Sequence, residues 1–359
     1  MYVFSNGGWM GTRYREIEVE GKPFEMGRQL GEAARDEIRG FVDVAIKRVN
    51  KTFPVSREKA LEVARASLPF VEQYSGDMLD ELKGMSEGSG VSLDELMILQ
   101  IRNQLQPDGD AGCTSFAVTE PSSSGAVVGQ NWDNDPGLDP YTVVLTRRPE
   151  GKPALMTITQ AGLISYIGLN DSGIGVCLNT LPAPSRGLGV PHYFTVRGIY
   201  ETASLTDAVQ AVRRAHRAIP ANVILATPQG PADLEVTIDH VHVIEDGGDG
   251  VVTHTNHCEH PDLLSVNDDY PELIQSGPRK VRVERILGEL ARPFAIEGLK
   301  ETLRDHENYP TSICRHPNDH PTTGYWATTF SVIIEPESGL LHATRGTPCT
   351  QPYETYSLN

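Results

Sequence analysis

The stretch Gly109-Asp-Ala-Gly-Cys-Thr-Ser-Phe116 decides how this chain is organised. A cysteine follows a glycine directly, and two hydroxyl residues lead into an apolar alternation over residues 116–120. A short turn at 121–125 separates this alternation from a second run, 126–133. Two such runs joined by a turn are typical of a β-hairpin, so Cys113 is predicted to begin its first strand.

Helical periodicity dominates the chain before this stretch. Apolar residues recur at three- and four-residue steps over 23–50, which predicts one long helix after a weak edge strand at 14–20. Ser56 is a candidate N-cap for a second helix ending near residue 74, and a third helix is predicted over 77–86. Ser92-Leu-Asp-Glu95 is a capping box that opens a fourth helix.

Strand patterns dominate the chain after Cys113. Strands are predicted over 114–119, 126–132, 141–148, 154–160, 163–168, 173–178, 222–227, 234–238, 240–244, 250–253, 328–335 and 339–344. Helices are predicted over 193–201, 206–216 (capped by Thr206 or Asp207), 272–289 and 296–305. Strands in neighbouring hairpins favour an α+β fold with antiparallel sheets covered by helices over a doubly wound parallel sheet.

Composition excludes several classes of function. A formal charge of -17 argues against nucleic acid and anionic membranes as partners. No apolar window is long enough for a transmembrane helix, and the N-terminus lacks the pattern of a signal peptide. Five widely spaced cysteines fit a reducing compartment, so a cytoplasmic protein is expected. Phosphate-binding glycine motifs are missing, and no cofactor is predicted.

Cys113 itself offers a complete nucleophile and base if the Gly112–Cys113 bond is cut. The free α-amino group of a new N-terminus has a pKa of about 7.7–8.0 and lies beside the sulfur, so it can take the thiol proton directly or through water. Glycine at the scissile bond tolerates an unusual backbone conformation at the lowest cost. The thiol would attack the preceding carbonyl, and hydrolysis of the resulting ester would free the terminus.

The chain resembles the penicillin acyltransferase-like family, which are N-terminal-nucleophile hydrolases. The specific signal is Gly112-Cys-Thr-Ser115 with Gly129-Gln-Asn-Trp-Asp133 at this spacing. Weaker matching segments are Gly21-Lys-Pro-Phe-Glu-Met-Gly-Arg-Gln-Leu-Gly31, Gly84-Met-Ser-Glu-Gly-Ser-Gly-Val-Ser92, Gly168-Leu-Asn-Asp-Ser-Gly-Ile-Gly-Val176, His254-Thr-Asn-His257 and Gly346-Thr-Pro-Cys349.

This resemblance implies a four-layer αββα sandwich and self-cleavage before Cys113. A helical pro-segment, 1–112, would remain as the small subunit of a heterodimer with the catalytic large subunit, 113–359, in one intertwined domain. Cys113 falls on the nucleophile and Asp133 on the aspartate that holds the α-amine. Asn256 falls on an oxyanion asparagine, and Asn179 matches a second oxyanion donor more loosely.

Relatives also place an arginine beside the sulfur, and this chain has no clear counterpart. Gln130 stands at the first such position, while Arg345 and Arg315 lie near the second without aligning to it. Structural roles remain open for the others: Asp133 as a turn residue, Asn256 and Asn179 as strand-end asparagines.

Gln130 and three further side chains are candidate substrate contacts. Trp132 and Trp326 could line an acyl pocket, although an aromatic core is the safer interpretation. Glu235 could be a pocket acid, although an exposed strand position is favoured.

Two groups of histidines and cysteines raise the question of a metal. His254, His257, Cys258 and His260 have zinc-ligand side chains but match no common spacing, and Cys314, His316 and His320 form a similarly loose group. Pocket-rim histidines are the favoured interpretation, and no metal is predicted.

The leading hypothesis is therefore a self-processing cysteine amidohydrolase acting on a small N-acyl compound. Transfer of an acyl group from acyl-coenzyme A or an amide to an amine such as 6-aminopenicillanic acid is the alternative. An uncleaved binding scaffold and a zinc hydrolase are the other classes considered. The heterodimer alone and a higher homo-oligomer are the alternatives for its assembly.

Overall fold

A computed structural model describes residues 11–51, 53–105, 112–119, 125–270 and 275–359. The helices are α1 (Pro23–Ala33), α2 (Arg35–Val49), α3 (Arg57–Tyr74), α4 (Gly76–Ser89), α5 (Leu93–Ile101), α6 (His192–Tyr200), α7 (Leu205–Arg213), α8 (Ser276–Glu289) and α9 (Ile296–Leu303). The loop predicted before Gly112, the hairpin turn and the first residues of the helix predicted over 272–289 lie outside the described residues.

The described strands form two sheets. The strands are β1 (Arg15–Gly21), β2 (Thr114–Thr119), β3 (Ala126–Asn134), β4 (Thr142–Pro149), β5 (Leu155–Gln160), β6 (Ile167–Asn170), β7 (Gly175–Asn179), β8 (Ala221–Thr227), β9 (Gly230–Val236), β10 (Val241–Glu245), β11 (Val251–His254), β12 (Ala327–Glu335), β13 (Leu340–Ala343) and β14 (Glu354–Ser357). One sheet has the order β1-β4-β5-β6-β7-β8-β9-β10, and the other has the order β11-β2-β3-β12-β13-β14. Neighbouring strands are antiparallel except that β1 runs parallel to β4.

The sheets pack face to face between two layers of helices, so the predicted αββα sandwich is confirmed. Strands β2 and β3 contact β7, β8 and β9 across the interior, α1 and α2 contact the outer face of the eight-stranded sheet, and α8 and α9 contact that of the six-stranded sheet. The alternation of β2 follows this layering: Phe116 and Val118 pack with Val283 and Leu303 under the helices. Cys113 and Ala117 belong to the core that includes the other sheet.

Capping residues and apolar periodicity predicted most of the described helices and strands correctly. Ser56 caps α3 through the Lys59 amide, and Ser92 and Glu95 form both bonds of the predicted capping box. The helix predicted over 23–50 is two helices, because Ala34 leaves the helical conformation between them.

Three other expectations were wrong in detail. The strand predicted over 163–168 is β6, which begins at Ile167, because the chain turns after β5 at Gly162, where φ is 102°. Helix α7 is capped by Ser204, whose hydroxyl accepts from the Asp207 amide, and not by Thr206 or Asp207. Strand β14 was not predicted. None of the described helices combines the length and apolar character needed to cross a bilayer.

Candidate active site

Cys113 lies in the interior of the sandwich, one residue before β2. Thr114 pairs with Asn131 in antiparallel register, and extending that register places Cys113 beside Trp132 and Gly112 beside Asp133. The Cys113 residue is 1 % exposed. The predicted strand start is therefore confirmed, and the predicted catalytic aspartate lies on the neighbouring strand.

Two side chains, Asn256 and Arg279, hold the peptide groups on both sides of the Cys113 Cα, and we call them the clamp. The Cys113 N–H donates to Asn256 Oδ1 at 2.9 Å. Arg279 donates to the Cys113 carbonyl oxygen at 2.5 Å and to Asn256 Oδ1 at 2.9 Å. A further bond from Arg279 reaches Thr114 Oγ1 at 2.7 Å. Both polar atoms of the Cys113 backbone are thus bound within the protein.

The orientation of the Asn256 amide follows from this network. Its oxygen faces two donors, which only an acceptor can satisfy. Its NH₂ donates to the oxygens of Thr180, at 3.0 Å to Oγ1 and 3.2 Å to the carbonyl. The sequence suggested Asn256 as an oxyanion donor, whereas the atom that it turns towards Cys113 is an acceptor.

Asp133 is held by a second set of buried partners. Arg315 Nε donates to Asp133 Oδ2 at 3.2 Å, and Thr328 Oγ1 donates to Oδ1 at 2.7 Å. The same guanidinium lies against the residue before Cys113, since a Cβ added to Gly112 would come within 3.0 Å of Arg315 Nε. Asp133 and Arg315 therefore form an ion pair beside the Gly112–Cys113 bond.

These charges and their burial set the protonation of the site. Burial above all, and then the charge of Asp133, raise the pKa of the Cys113 thiol to about 12. A backbone hydrogen bond from Asp133 and the charges of Arg279 and Arg315 act in the opposite direction. Burial also raises the pKa of Asp133 to about 6, against the same two arginines. At neutral pH the carboxyl is thus ionised and the thiol is protonated, so attack needs a base.

Among the described residues, Arg279 and Arg315 are cationic neighbours of the thiol. Arg345 instead pairs with Asp139 through Nε and Nη2, at 2.9 and 2.7 Å. Sequence reasoning missed Arg279, which lies on α8 and is 166 residues from Cys113 along the chain. Its only local signal is a place in the first turn of a predicted helix, which points to no particular chemistry.

Gln130 and Asn179 join the two sheets near Cys113. Gln130 Nε2 donates to Asn179 Oδ1 at 3.0 Å, and Asn179 Nδ2 donates to Ser115 Oγ at 2.6 Å. Ser115 lies two residues after Cys113, on the same face of the strand. Asn179 also donates to Asn222 Oδ1 at 2.7 Å. The side-chain oxygen and nitrogen of Asn179 therefore both have protein partners, and the residue lies beside the strand that follows Cys113.

Glu235 is buried, so the exposed position expected for it was wrong. His254 Nε2 lies 3.0 Å from Glu235 Oε1, and the amide of His260 donates to Oε2 at 3.0 Å. Burial opposes ionisation, but the hydrogen bond and charge of His254 lower the pKa of Glu235 overall. The other nitrogen of His254 bonds to the Thr255 carbonyl at 2.9 Å. Both ring nitrogens of His254 are thus engaged within the protein.

The two candidate tryptophans are buried. Trp132 stacks on Phe330 with ring centroids 4.8 Å apart and donates to the Tyr166 hydroxyl at 2.7 Å. Trp326 is also buried and contacts Tyr325 edge to face. Trp132 is therefore a core residue joining the two sheets, directly beside Cys113 in the strand pairing.

Cys113 therefore lies at the start of a strand inside an αββα sandwich, at the position where the sequence resemblance places the nucleophile. The chain belongs to the acyl-coenzyme A:6-aminopenicillanic acid acyl-transferase family, whose family model matches residues 118–348. The match begins just after Cys113 and spans most of the large subunit predicted from the sequence.

Known relatives extend the similarity beyond that segment. The chain is 26% identical over 355 residues to the 40 kDa form of acyl-coenzyme A:6-aminopenicillanic-acid-acyltransferase from Emericella nidulans, covering 95% of each. Among solved structures, penicillin V acylase from Agrobacterium tumefaciens aligns with 12% identity and a TM-score of 0.47, covering 68% of this chain and 86% of that one. A variant of conjugated bile acid hydrolase from Clostridium perfringens aligns with 13% identity and a TM-score of 0.46, covering 69% and 97%.

Proposed function

We propose that this protein is a self-processing cysteine amidohydrolase that cleaves a small N-acyl compound through an acyl-Cys113 thioester. The observation that carries the proposal is the clamp together with the Asp133–Arg315 pair. One set of contacts holds Cys113 on both sides of its Cα, and the other places an ionised acid beside the bond that would be cut. Any buried cysteine needs partners for its backbone groups, but a structural cysteine has no need of an ionised carboxylate beside its preceding peptide bond.

Self-cleavage would begin with attack of the Cys113 sulfur on the Gly112 carbonyl carbon. The C–N bond then breaks, the nitrogen receives the thiol proton, and a thioester to Gly112 replaces the amide. Water hydrolyses this ester and releases the carboxylate of Gly112 and a free thiol. Asn256 Oδ1, which accepts from the Cys113 nitrogen before the cut, is placed to hold the new α-amine afterwards. Ionised Asp133 would stabilise that group once it is protonated.

The mature enzyme would use the α-amine as its base. The thiol proton moves to the amine as sulfur attacks the substrate carbonyl, and the amine then protonates the departing nitrogen. Water, activated by the same amine, resolves the thioester. The NH₂ of Asn256, once released from its bonds to Thr180, is the proposed donor for the substrate oxyanion, and Arg279 and Arg315 favour the thiolate. Asn179 would act by positioning Ser115 and the strand that carries Cys113.

We propose that the N-terminal segment stays bound after the cut. Strand β1 from this segment pairs with β4 over Arg15–Gly21, and Glu81 forms a buried ion pair with Arg147. Both interactions cross the proposed cleavage point in the chain. Five cysteines without a disulfide among them suit the cytoplasm, which we propose as the location.

Acyl transfer is the second candidate, and the name of the Emericella nidulans relative favours it. An amine in place of water at the thioester would convert one reaction into the other. We favour hydrolysis because the described residues present no motif that would cradle the phosphates of coenzyme A.

Intact mass of the purified protein tests the proposal. We expect two fragments whose masses place the cut before Cys113, and a single full-length chain for Cys113→Ala. A panel of N-acyl amines and amino acids should then be hydrolysed by the processed protein and not by Cys113→Ala. Adding an acceptor amine separates hydrolase from transferase, since only a transferase yields the new amide. A single uncut wild-type chain with thiol-independent activity would refute the proposal.

A further inference from the structure

Two cysteines and two histidines converge beside Arg315, in a group that we call the Cys₂His₂ cluster: His306, Cys314, His316 and Cys349. His316 Nε2 lies 3.1 Å from His306 Nε2, 3.6 Å from Cys314 Sγ and 3.5 Å from Cys349 Sγ. The four potential ligand atoms all lie within 4.8 Å of one another. The sequence grouped Cys314 and His316 with His320, and the fold replaces His320 by His306 and Cys349.

Ordinary hydrogen bonds do not account for this convergence. An imidazole nitrogen carries either one proton or one lone pair, so it makes one strong hydrogen bond at a time. Here a single nitrogen of His316 has three neighbours of ligand type at close range. One central cation would satisfy all of these atoms together.

Three of the six separations within the cluster are close to those of a tetrahedral zinc shell. Zinc binds thiolates at about 2.3 Å and imidazoles at about 2.0–2.1 Å, which places a sulfur and a nitrogen about 3.5 Å apart and two nitrogens about 3.4 Å apart. The two S–N distances in the cluster are 3.6 and 3.5 Å, and the N–N distance is 3.1 Å. Two thiolates with two imidazoles are also a ligand set that zinc prefers.

Backbone contacts hold the cluster together independently of any ion. The Cys314 amide donates to the Asp305 carbonyl at 3.0 Å, and the His316 amide donates to the Pro310 carbonyl at 2.9 Å. The Arg304 side chain donates to the Pro348 carbonyl at 3.0 Å, which brings the turn with Cys349 to the end of α9. His306 is exposed, so an ion can reach the site from solvent.

We propose that the Cys₂His₂ cluster is a structural zinc site. Four protein ligands leave no open position, so the ion would have no direct part in the reaction. The ion would nevertheless affect the proposed active site, because Arg315 lies between the ligands Cys314 and His316. Zinc would fix the segment whose guanidinium pairs with Asp133.

A second group provides an internal control. His242, His260 and Asp262 also bring ligand atoms within 4.8 Å of one another. This group has no thiolate, and the Asp262 side chain is 73% exposed, so we expect it to hold zinc weakly. If zinc binding depends on Cys349 and not on His260, the zinc is therefore bound at the proposed site and not at this surface group.

Metal analysis of the full-length protein, purified without added metal and dialysed, tests the proposal. We expect about one zinc per chain in the wild type and in His260→Ala, and loss of that zinc in Cys349→Ser and in His306→Ala. After chelation, titration with Co²⁺ should give the visible absorption of a tetrahedral cobalt thiolate, absent in Cys349→Ser. Cys113→Ala should retain the zinc, which excludes the catalytic thiol as its ligand.

Thiol alkylation of the wild type tests the site without substitutions that could unfold the protein. Zinc should protect Cys314 and Cys349 from alkylation, and chelation should expose them. A wild type that holds no zinc and gives no cobalt–thiolate absorption would overturn the proposal. So would a Cys314–Cys349 disulfide in the freshly purified protein, or zinc that is lost in His260→Ala but kept in Cys349→Ser.

Discussion

Replacing Arg279 by methionine tests the contribution of the clamp separately from that of the Asp133–Arg315 ion pair. Methionine keeps much of the volume of the buried side chain but removes the guanidinium. The Cys113 carbonyl and Asn256 Oδ1 then each lose a donor, at 2.5 and 2.9 Å. A hydrogen bond to a charged group contributes about 1.5–3 kcal/mol, so the two together are about 3–6 kcal/mol. If both are needed at the transition state, cleavage slows by about 10²–10⁴-fold.

The assay is the time course of precursor cleavage, followed by denaturing gel electrophoresis and intact mass. Arg285→Met is the matched control, because Arg285 lies on the same helix, is half exposed and pairs with Glu307 at 2.5 Å. A second measurement is the pH dependence of Cys113 alkylation. This profile should move to higher pH in Arg279→Met alone, since the guanidinium lowers the pKa of the thiol.

Folding must be compared in the same experiment, through the denaturant midpoint of each variant. The reasoning is refuted if Arg279→Met folds like the control, is cleaved within about threefold of its rate and shows an unchanged alkylation profile. Slow cleavage with an unchanged profile would also contradict the electrostatic part of the argument.

Three further predictions concern Asp133, Glu81 and Gly112. Because burial raises the pKa of Asp133 to about 6 from an ordinary 3.8, its charge is lost as pH falls through 6, and the cleavage rate should fall along an acid limb centred there. Glu81→Gln removes the carboxylate shared by the buried guanidiniums of Arg147 and Arg197, of which Arg197 keeps only a contact with Glu201 at 3.5 Å, and should lower the free energy of unfolding by about 3–5 kcal/mol. Asp80→Asn, at an exposed ion pair, should change it by less than about 0.5 kcal/mol. Gly112→Ala places a Cβ 3.0 Å from Arg315 Nε and should slow cleavage by about tenfold, the equivalent of weakening one charge-assisted hydrogen bond.

Each of these has a clear contrary result. A cleavage rate that stays constant down to pH 5, about one unit below the pKa of the acid, in a protein still folded by circular dichroism, would exclude ionised Asp133 from the step. Equal urea midpoints for the variants at residues 80 and 81 would mean that the buried ion pairs add no stability. Wild-type cleavage of Gly112→Ala would show that Arg315 can move without consequence.

Residues close to Cys113 in the chain were predictable because local pattern and register determine their relations. The hairpin alternation places Cys113 at the strand start, and its spacing to Asp133 puts the acid on the adjacent strand. Asn256 followed from its resemblance to a family motif. Its amide orientation could not be predicted, since that depends on Arg279 as a second donor.

Contacts made through distant loops were not predictable. Arg279 reaches the site from the outer helix layer, and no periodicity within α8 marks the residue. His306 and Cys349 meet His316 only because α9 and the turn after β13 are brought together by tertiary packing. Glu235 was assigned to the surface by its charge, but His254 is a buried partner that makes the interior position tolerable.

The parallel pairing of β1 with β4 gives the proposed cut a consequence for the lifetime of the enzyme. Before cleavage, the two strands belong to one molecule and can find each other again after unfolding. After cleavage, they belong to separate polypeptides. Refolding then requires the two chains to meet in solution, which dilution disfavours. The mature protein would then persist by unfolding slowly, and heat damage to it would not be reversed on cooling.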